Sequence, residues 1–167
     1  MRVDTRWLDR KQLATWVRLA AVLELLPPVL DSQLRRDAQL THFDYYVLAM
    51  LSEAPDHTLR MTALADRTTA TLARLSHVVQ RLEARGLLER LPCPDDRRAT
   101  NARLTEAGRQ KVRDSAPGHV ATVRDTVVDA LTADQIDQLA AICDAILHRL
   151  DPTESRTAIY RRYDPGE

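Results

Sequence analysis

Apolar residues recur at intervals of three and four in the N-terminal part of the chain, a spacing that predicts amphipathic helices. The first such pattern covers residues 8–36. Pro27 and Pro28 within it predict a kink or break, because proline removes a backbone donor and restricts the residue before it. Thr41 followed by Asp44 has the spacing of a capping box and predicts the start of a second helix.

The middle of the chain predicts a short strand and two further helices. Residues 58–60 form the predicted strand, and Thr62 predicts the cap of a short third helix. Thr71 predicts the cap of a fourth helix. That helix is expected to end at Gly86, because glycine after a cationic last turn is a common helix stop.

In the segments that follow, successive residues alternate between two faces, as in paired β-strands. Residues 87–92 and 99–104 predict a hairpin. Thr105 predicts the cap of a fifth helix, which Pro117 should kink or split, and Thr132 predicts the cap of a sixth. The predicted order is helix, helix, strand, helix, helix, strand, strand, helix, helix. This is a mainly α fold with a small β-hairpin wing, of the α+β class.

The fourth predicted helix divides into an apolar arc and a polar arc when its residues are placed at about 100° steps. The apolar arc should pack on the body of the protein and contains Leu72, Leu75, Val78, Val79 and Leu82. The opposite arc is nearly free of acids and contains Ala73, Ser76, His77, Gln80, Arg81 and Ala84, with Arg74 at its edge. Such side chains let a helix approach a DNA groove and reach base edges or phosphates. The predicted DNA-binding residues of this helix are Thr71, Ala73, Arg74, Ser76, His77, Gln80 and Arg81; an ordinary solvent-exposed face is the alternative.

The tip of the predicted hairpin carries two acids followed by two arginines, Asp95, Asp96, Arg97 and Arg98. An exposed arginine at such a tip can enter a minor groove, where a narrow width deepens the negative potential. Asp96 is predicted to pair with Arg98 and set its direction. Asp96, Arg97 and Arg98 complete the predicted DNA-binding set, and a solvated charged turn is the alternative.

The charge distribution favours a nucleic-acid partner although the net charge is zero. Residues 60–113 contain 12 Lys or Arg and 6 Asp or Glu, whereas residues 1–59 contain 7 and 8, and residues 114–167 contain 5 and 10. A basic middle between acidic ends is expected of a neutral protein with one phosphate-facing lobe. Chance clustering of surface arginines is the alternative.

Two segments, RLEARGLLER and PDDRRATNARLTEAG, closely resemble the wing region of MarR-family transcriptional regulators. LTHFDYYVLAMLSEAP resembles the family's second helix and MTALADRT its third, so the resemblance covers residues 40–108 by motif. It implies a homodimeric winged helix-turn-helix protein on a pseudo-palindromic operator of double-stranded DNA. Two recognition helices would enter successive major grooves, and wing arginines the flanking minor grooves. Asp96 and Arg98 hold the family's paired acid and minor-groove arginine positions, whereas residues 68–71 depart from its usual glycine-containing turn with a serine cap.

The resemblance also implies an intertwined dimer formed through the terminal helices. Residues 1–38 are then an N-terminal dimerisation helix, residues 39–108 the DNA-binding lobe, and residues 109–167 the C-terminal dimerisation helices and tail, within one structural domain. Apolar stripes with no obvious cover in a monomer predict an interface of Leu13, Val17, Leu139, Ile142, Ile146 and Leu150. Closure of both stripes into one monomer core is the alternative.

Family members usually respond to a small ligand, often an aromatic anion, so the resemblance implies a small-molecule effector whose identity stays open. Aromatic residues placed near the implied pocket between the dimer helices and the DNA-binding lobe are Trp16, His42, Tyr45 and Tyr46. Ordinary core packing of these side chains is the alternative.

Other classes of function lack the residues that they need. No histidine pairs with a cysteine at ligand spacing, and no phosphate loop, nucleotide fingerprint or catalytic serine motif is present, so we predict no metal, no cofactor and no enzyme. Without an apolar run of about 18 residues or a signal peptide, we expect no membrane partner and a cytoplasmic, nucleoid-associated protein. Cys93 should be an exposed bystander thiol in the wing, and Cys143 should pack on the sixth helix.

Two functions from different classes remain. The first is a sequence-specific DNA-binding regulator, a repressor relieved by a small aromatic or anionic ligand. The second is a winged-helix module that binds protein or ligand without specific DNA binding. The basic, acid-free helix face and the wing arginines favour the first, because a protein-interaction module does not need them.

Overall fold

The structure is a computed structural model, and it describes residues 5–94, 96–152, 159 and 161–163, with the backbone alone for Arg97. Within these residues the elements follow the predicted order, and the mainly helical winged fold is confirmed. The helices are α1 (Arg10–Ala38), α2 (His42–Ser52), α3 (Met61–Arg67), α4 (Leu72–Ala84), α5 (Glu106–Thr126) and α6 (Ala133–Leu150), and the strands are β1 (Thr58–Arg60), β2 (Leu88–Cys93) and β3 (Asp96–Leu104). Two 3₁₀ turns, Pro55–His57 and Val128–Ala130, join the longer elements.

Threonine hydroxyls cap four of the helices as the sequence predicts. Thr41, Thr71, Thr105 and Thr132 each accept a hydrogen bond from the backbone amide three residues later. The prediction for Thr62 is wrong, because the chain enters α3 directly from β1 and no side chain caps this helix.

Helices α1 and α5 run continuously through their prolines, so the expected breaks do not form. Pro27 and Pro28 lie inside α1, and Pro117 lies inside α5. Beyond the α1 prolines the helix buries Leu30, Gln33, Leu34 and Ala38. Packing of this C-terminal half against the body of the protein overrides the local preference of proline, as tertiary contacts commonly do.

The three strands form one antiparallel sheet in the order β1-β3-β2. Leu88 pairs with Leu104 and Thr58 pairs with Arg103, and the β2–β3 register shifts between Pro92 and Cys93. Strand β3 starts three residues before the predicted Ala99, because the bulged end of β2 pairs with Asp96.

One core lies beneath α4 and the sheet. Its fully buried members come from the C-terminal half of α1, from α2, α3 and α4, and from both wing strands, and include Leu34, Leu48, Leu51, Leu64, Leu75, Leu82 and Leu88. Helix α4 and the wing strands therefore pack on the same hydrophobic core.

Gly108 lets the start of α5 pack tightly against the base of the wing. A Cβ atom at this position would lie 1.9 Å from the carbonyl oxygen of Leu87 and 2.6 Å from the Leu104 side chain. The same Leu87 carbonyl accepts the amide of Thr105 at 3.1 Å. The junction between β2 and α5 thus has no room for a side chain.

The N-terminal half of α1 and the whole of α6 contribute little to this core. No described residue of α6 is buried, and none of α1 before Leu30 is buried. Helix α1 is also long and apolar enough to span a membrane by length and composition alone, at a mean hydropathy of 1.6, although its C-terminal half packs on α5 and α2. Among the described residues, several large apolar side chains of these two segments remain exposed.

Candidate nucleic-acid interface

Helix α4 begins with a side-chain cap and presents a polar face to solvent. The Thr71 hydroxyl accepts the amide of Arg74 at 3.2 Å, which fixes the first turn. The predicted face is exposed throughout, at Ala73, Ser76, His77, Gln80 and Ala84. Leu72 was predicted to pack inward but is half-exposed, because it lies at the edge of the apolar arc.

Two predicted contacts of α4 are turned toward α2. The Arg74 guanidinium lies 4.1 Å from the centre of the Phe43 ring, and the Arg81 guanidinium pairs with the buried carboxylate of Asp44. Both arginines remain on the exposed surface of the helix. Their cationic groups thus already have partners within the protein.

The wing directs Arg98 through its backbone. Asp96 Oδ1 accepts the Arg98 amide at 3.0 Å, and Asp96 Oδ2 lies 3.3 Å from Nη2 of Arg60. Asp96 therefore pairs with Arg60 and leaves the Arg98 side chain exposed, which differs from the predicted pairing of the two side chains. Sequence reasoning missed Arg60, since its strand pairs with β3 only in the fold. Asp95 and the side chain of Arg97 lie outside the described residues.

A groove of about 310 Å³ lies between α4 and the wing. Three arginines line it together with small and apolar side chains from both elements: Arg60, Arg90, Arg98, Leu72, Ser76 and Thr100. The acid Glu83 accepts two hydrogen bonds from Arg90 of this groove, at 2.9 Å from its amide and 2.7 Å from Nε. These bonds lower the pKa of the Glu83 carboxyl. The arginine-lined groove thus lies beside the exposed polar face of α4, and two of its arginines, Arg60 and Arg90, are paired with Asp96 and Glu83.

The predicted ligand residues do not all come together. His42 and Tyr45 both face His119 of α5, with ring centres 5.9 Å and 4.7 Å from it. Tyr46 instead donates its hydroxyl to the Arg67 carbonyl at 3.2 Å. Trp16 is half-exposed on α1, 15 residues before Asp31, which contacts the start of α2; at 1.5 Å per residue this is about 22 Å along the helix.

The His42–Tyr45–His119 cluster is half-buried, and it consists of aromatic rings that carry titratable groups. Burial lowers the pKa of His42, and burial together with the charge of His42 lowers the pKa of His119. Burial also raises the pKa of Tyr45. The buried Nδ1 of His119 has no hydrogen-bond partner among the residues that the structure describes. His119 carries no sequence signal for this role, because only the fold brings α5 against α2.

The predicted interface residues are exposed in the single subunit. Leu13, Val17, Ile142 and Leu150 are 51%, 57%, 56% and 73% exposed, and Leu139 and Ile146 are each 39% exposed. Exposed apolar residues are typical of interaction sites, and the predicted interface stays a prediction.

The cysteines differ from expectation. Cys93 is buried at the end of β2, with Nη2 of Arg60 3.5 Å from its sulfur, because β1 and β2 both flank β3. Cys143 is exposed on α6. Among the described residues, no three His, Cys, Asp or Glu side chains are grouped to hold a metal ion.

This arrangement of a capped helix, a three-stranded wing and a shared core defines a winged helix-turn-helix protein. Comparisons with known proteins identify the family within this class. A family model described as MarR family matches residues 38–99. Sco3205, a MarR family transcriptional regulator from Streptomyces coelicolor crystallised in complex with DNA, is 40% identical, with 92% of this chain and 96% of that chain covered and a TM-score of 0.86.

Two further relatives agree with this assignment. AbsC, a MarR family transcriptional regulator from Streptomyces coelicolor, is 36% identical over 89% of this chain and 99% of that chain, with a TM-score of 0.83. The HTH-type transcriptional regulator MhqR of Bacillus subtilis is 29% identical over 107 residues, which is 64% of this chain and 69% of that protein. The chain belongs to the MarR family of transcriptional regulators.

Proposed function

We propose that this regulator binds double-stranded DNA sequence-specifically, with α4 in the major groove and the wing arginine Arg98 in the adjacent minor groove. The observation that carries the proposal is the arginine-lined groove that lies between the wing and the exposed polar face of α4. The similarity to a regulator crystallised with DNA supports it. A cytoplasmic, nucleoid-associated location follows from this activity.

Binding to a fluorescent duplex carrying the promoter region of its own gene tests the proposal by anisotropy. We expect the logarithm of affinity to fall linearly with the logarithm of salt concentration, with a slope of about −0.9 for each phosphate neutralised. A scrambled duplex of equal length is the control and should bind more weakly at every salt concentration. Absent or salt-insensitive binding to several promoter duplexes would favour the alternative, a module that binds protein or ligand without specific DNA binding.

The exposed stripes on α1 and α6 support a homodimer as the DNA-binding unit. A two-fold symmetric pair places two copies of α4 on one face of a duplex, as a pseudo-palindromic operator requires. Light scattering on the purified chain is expected to give twice the 18.9 kDa chain mass, in buffer without detergent. A monomer, or a particle that forms only with vesicles or detergent, would contradict the dimer.

We further propose that the regulator is a repressor released by a small aromatic or anionic ligand at the His42–Tyr45–His119 cluster. The half-buried aromatic rings and the unpartnered buried Nδ1 of His119 support a ligand with an aromatic body and a hydrogen-bonding group. Such a ligand must bind the state that does not fit DNA more tightly than the state that does. A panel of aromatic carboxylates added to the DNA complex tests this, with His119→Ala as the variant expected to lose the response.

A further inference from the structure

Arg74 and Arg81 lie on the same flank of α4, between its buried side and its exposed face. They are seven residues apart and therefore within about 20° of each other around the helix axis. Val78 lies between them on the same flank and is buried. This flank is the side of α4 that faces the start of α2.

Asp44 is the polar group that this flank meets. The residue is only 2% exposed, and its Oδ2 accepts the Thr41 amide at 2.9 Å as part of the capping box of α2. The remaining oxygen, Oδ1, accepts the guanidinium of Arg81. A buried carboxylate needs such partners, because removing one of them leaves a buried charge without compensation, which is strongly unfavourable.

Arg81 is therefore tied to the interior of the protein, although about half of its side chain is exposed. About two turns of helix earlier on the same flank, Arg74 stacks on Phe43, the residue before Asp44. The first turn of α2 thus contacts α4 at two points along its length. These two contacts hold the flank of α4 against α2, beside the apolar residues by which α4 packs in the core.

We propose that the Asp44–Arg81 ion pair is a positioning device for DNA binding. It holds the polar face of α4 in register with the wing, and Arg81 acts through Asp44 in place of the direct DNA contact predicted for it. The inference rests on the proposed DNA-binding function, because the quantity it controls is affinity for a duplex.

A double-mutant cycle on the full-length chain tests the device with the same promoter duplex. The variants are Asp44→Asn, Arg81→Met and the double variant. Asparagine keeps an acceptor for the Thr41 amide, so α2 retains its cap. We expect each single variant to lose about tenfold in affinity and the double variant to lose no more than either, because coupled residues give non-additive effects. Arg81→Lys, which keeps the charge, should restore part of the affinity.

The salt dependence separates positioning from phosphate contact. If Arg81 positions α4, the slope of log affinity against log salt is the same in Arg81→Met as in the natural sequence. A slope that becomes shallower by about 0.9, together with full affinity in Asp44→Asn, would show a direct phosphate contact and overturn the proposal.

Two controls complete the design. The exposed pair Arg124–Asp129, between the end of α5 and the 3₁₀ turn that follows it, joins the same two residue types, and the same cycle there should leave affinity unchanged. Leu34→Val lowers stability in the core without touching the pair, and it should lower the melting temperature but not the affinity at 25 °C. Failure of the natural sequence to bind any duplex would reject the proposed function itself, whereas additive losses in a protein that binds would reject only the positioning role.

Discussion

The Asp96 carboxylate holds Arg98 by its backbone amide, at 3.0 Å, and not by its guanidinium. Because the same carboxylate also pairs with Arg60 of β1, the wing strand is fixed at its tip from two sides. The Arg98 side chain is exposed. Among the described residues no acid forms an ion pair with it, so it is available to a nucleic acid.

Arg98→Ala is expected to weaken binding to the promoter duplex by about tenfold or more, because a groove-reading arginine contributes about 1–3 kcal/mol. The circular dichroism spectrum and the melting temperature should not change, since the side chain is exposed. Arg124→Ala is the matched control, an exposed arginine on α5. Unaltered affinity in Arg98→Ala would remove the wing from the interface.

Gly108→Ala is expected to destabilise the protein by roughly 3 kcal/mol, because the added carbon would overlap the Leu87 carbonyl, which is backbone and cannot move aside. Thermal denaturation should show a melting temperature lower by roughly 6–12 °C. Gly118→Ala is the matched control in the same helix. There the nearest atom is the flexible end of Gln33, so a gain of up to about 1 kcal/mol in helix preference is expected. Equal effects of the two substitutions would contradict this reading of the junction.

Stability should decrease as the pH falls below about 6.5, the ordinary pKa of histidine. The folded protein lowers the pKa of His42 and of His119, so below that pH the unfolded chain binds more protons than the folded one. Above pH 6.5 both histidines are neutral in the folded and the unfolded chain, so they make no pH-dependent contribution to stability. Stability is lost as the pH drops toward their folded pKa values. The slope is at most about 1.4 kcal/mol per pH unit for each histidine.

Urea unfolding between pH 7.5 and about pH 5.5, the range above most carboxyl titration, measures this slope. His42→Gln and His119→Gln should each make it shallower. His77→Gln, on the exposed face of α4, should leave it unchanged. A pH-independent stability in the natural sequence would show that burial does not disfavour the charged histidines.

Local signals in the sequence were sufficient for most elements of the fold. Threonine caps and apolar periodicity depend only on neighbours within a few residues, which is why Thr41, Thr71 and Thr132 start their helices as predicted. The prolines were the exception, because burial of Leu34 and its neighbours outweighs what Pro27 removes locally. The helix propensity of the local sequence does not include this stabilisation by burial.

The candidate site was less predictable because it depends on pairings between distant elements. Helical periodicity placed Arg81 on the exposed arc, and the residue is exposed, but its partner Asp44 lies 37 positions away. Arg60 reaches Asp96 and His119 reaches Tyr45 over similarly long separations. No periodicity within one helix encodes such contacts, so the sequence indicated the surface but not the partners of its charges.

Ile142→Glu is expected to convert the proposed dimer to a monomer, because it puts a charge in the exposed apolar stripe of α6, where Ile142 is 56% exposed in one subunit. Burying an unpaired carboxylate at an interface is strongly unfavourable, whereas an exposed one is not, so the isolated subunit should keep its helical spectrum. Ala141→Glu adds the same charge on the roughly opposite side of α6 and should remain dimeric.

The DNA affinity of Ile142→Glu should fall by about a hundredfold or more, because two half-sites bound through one linked pair gain from effective concentration. On the same samples, light scattering measures the loss of the dimer and anisotropy measures the loss of DNA affinity. Full affinity in a monomeric Ile142→Glu would show that a single α4 and wing suffice for the operator, and would contradict the two-fold arrangement.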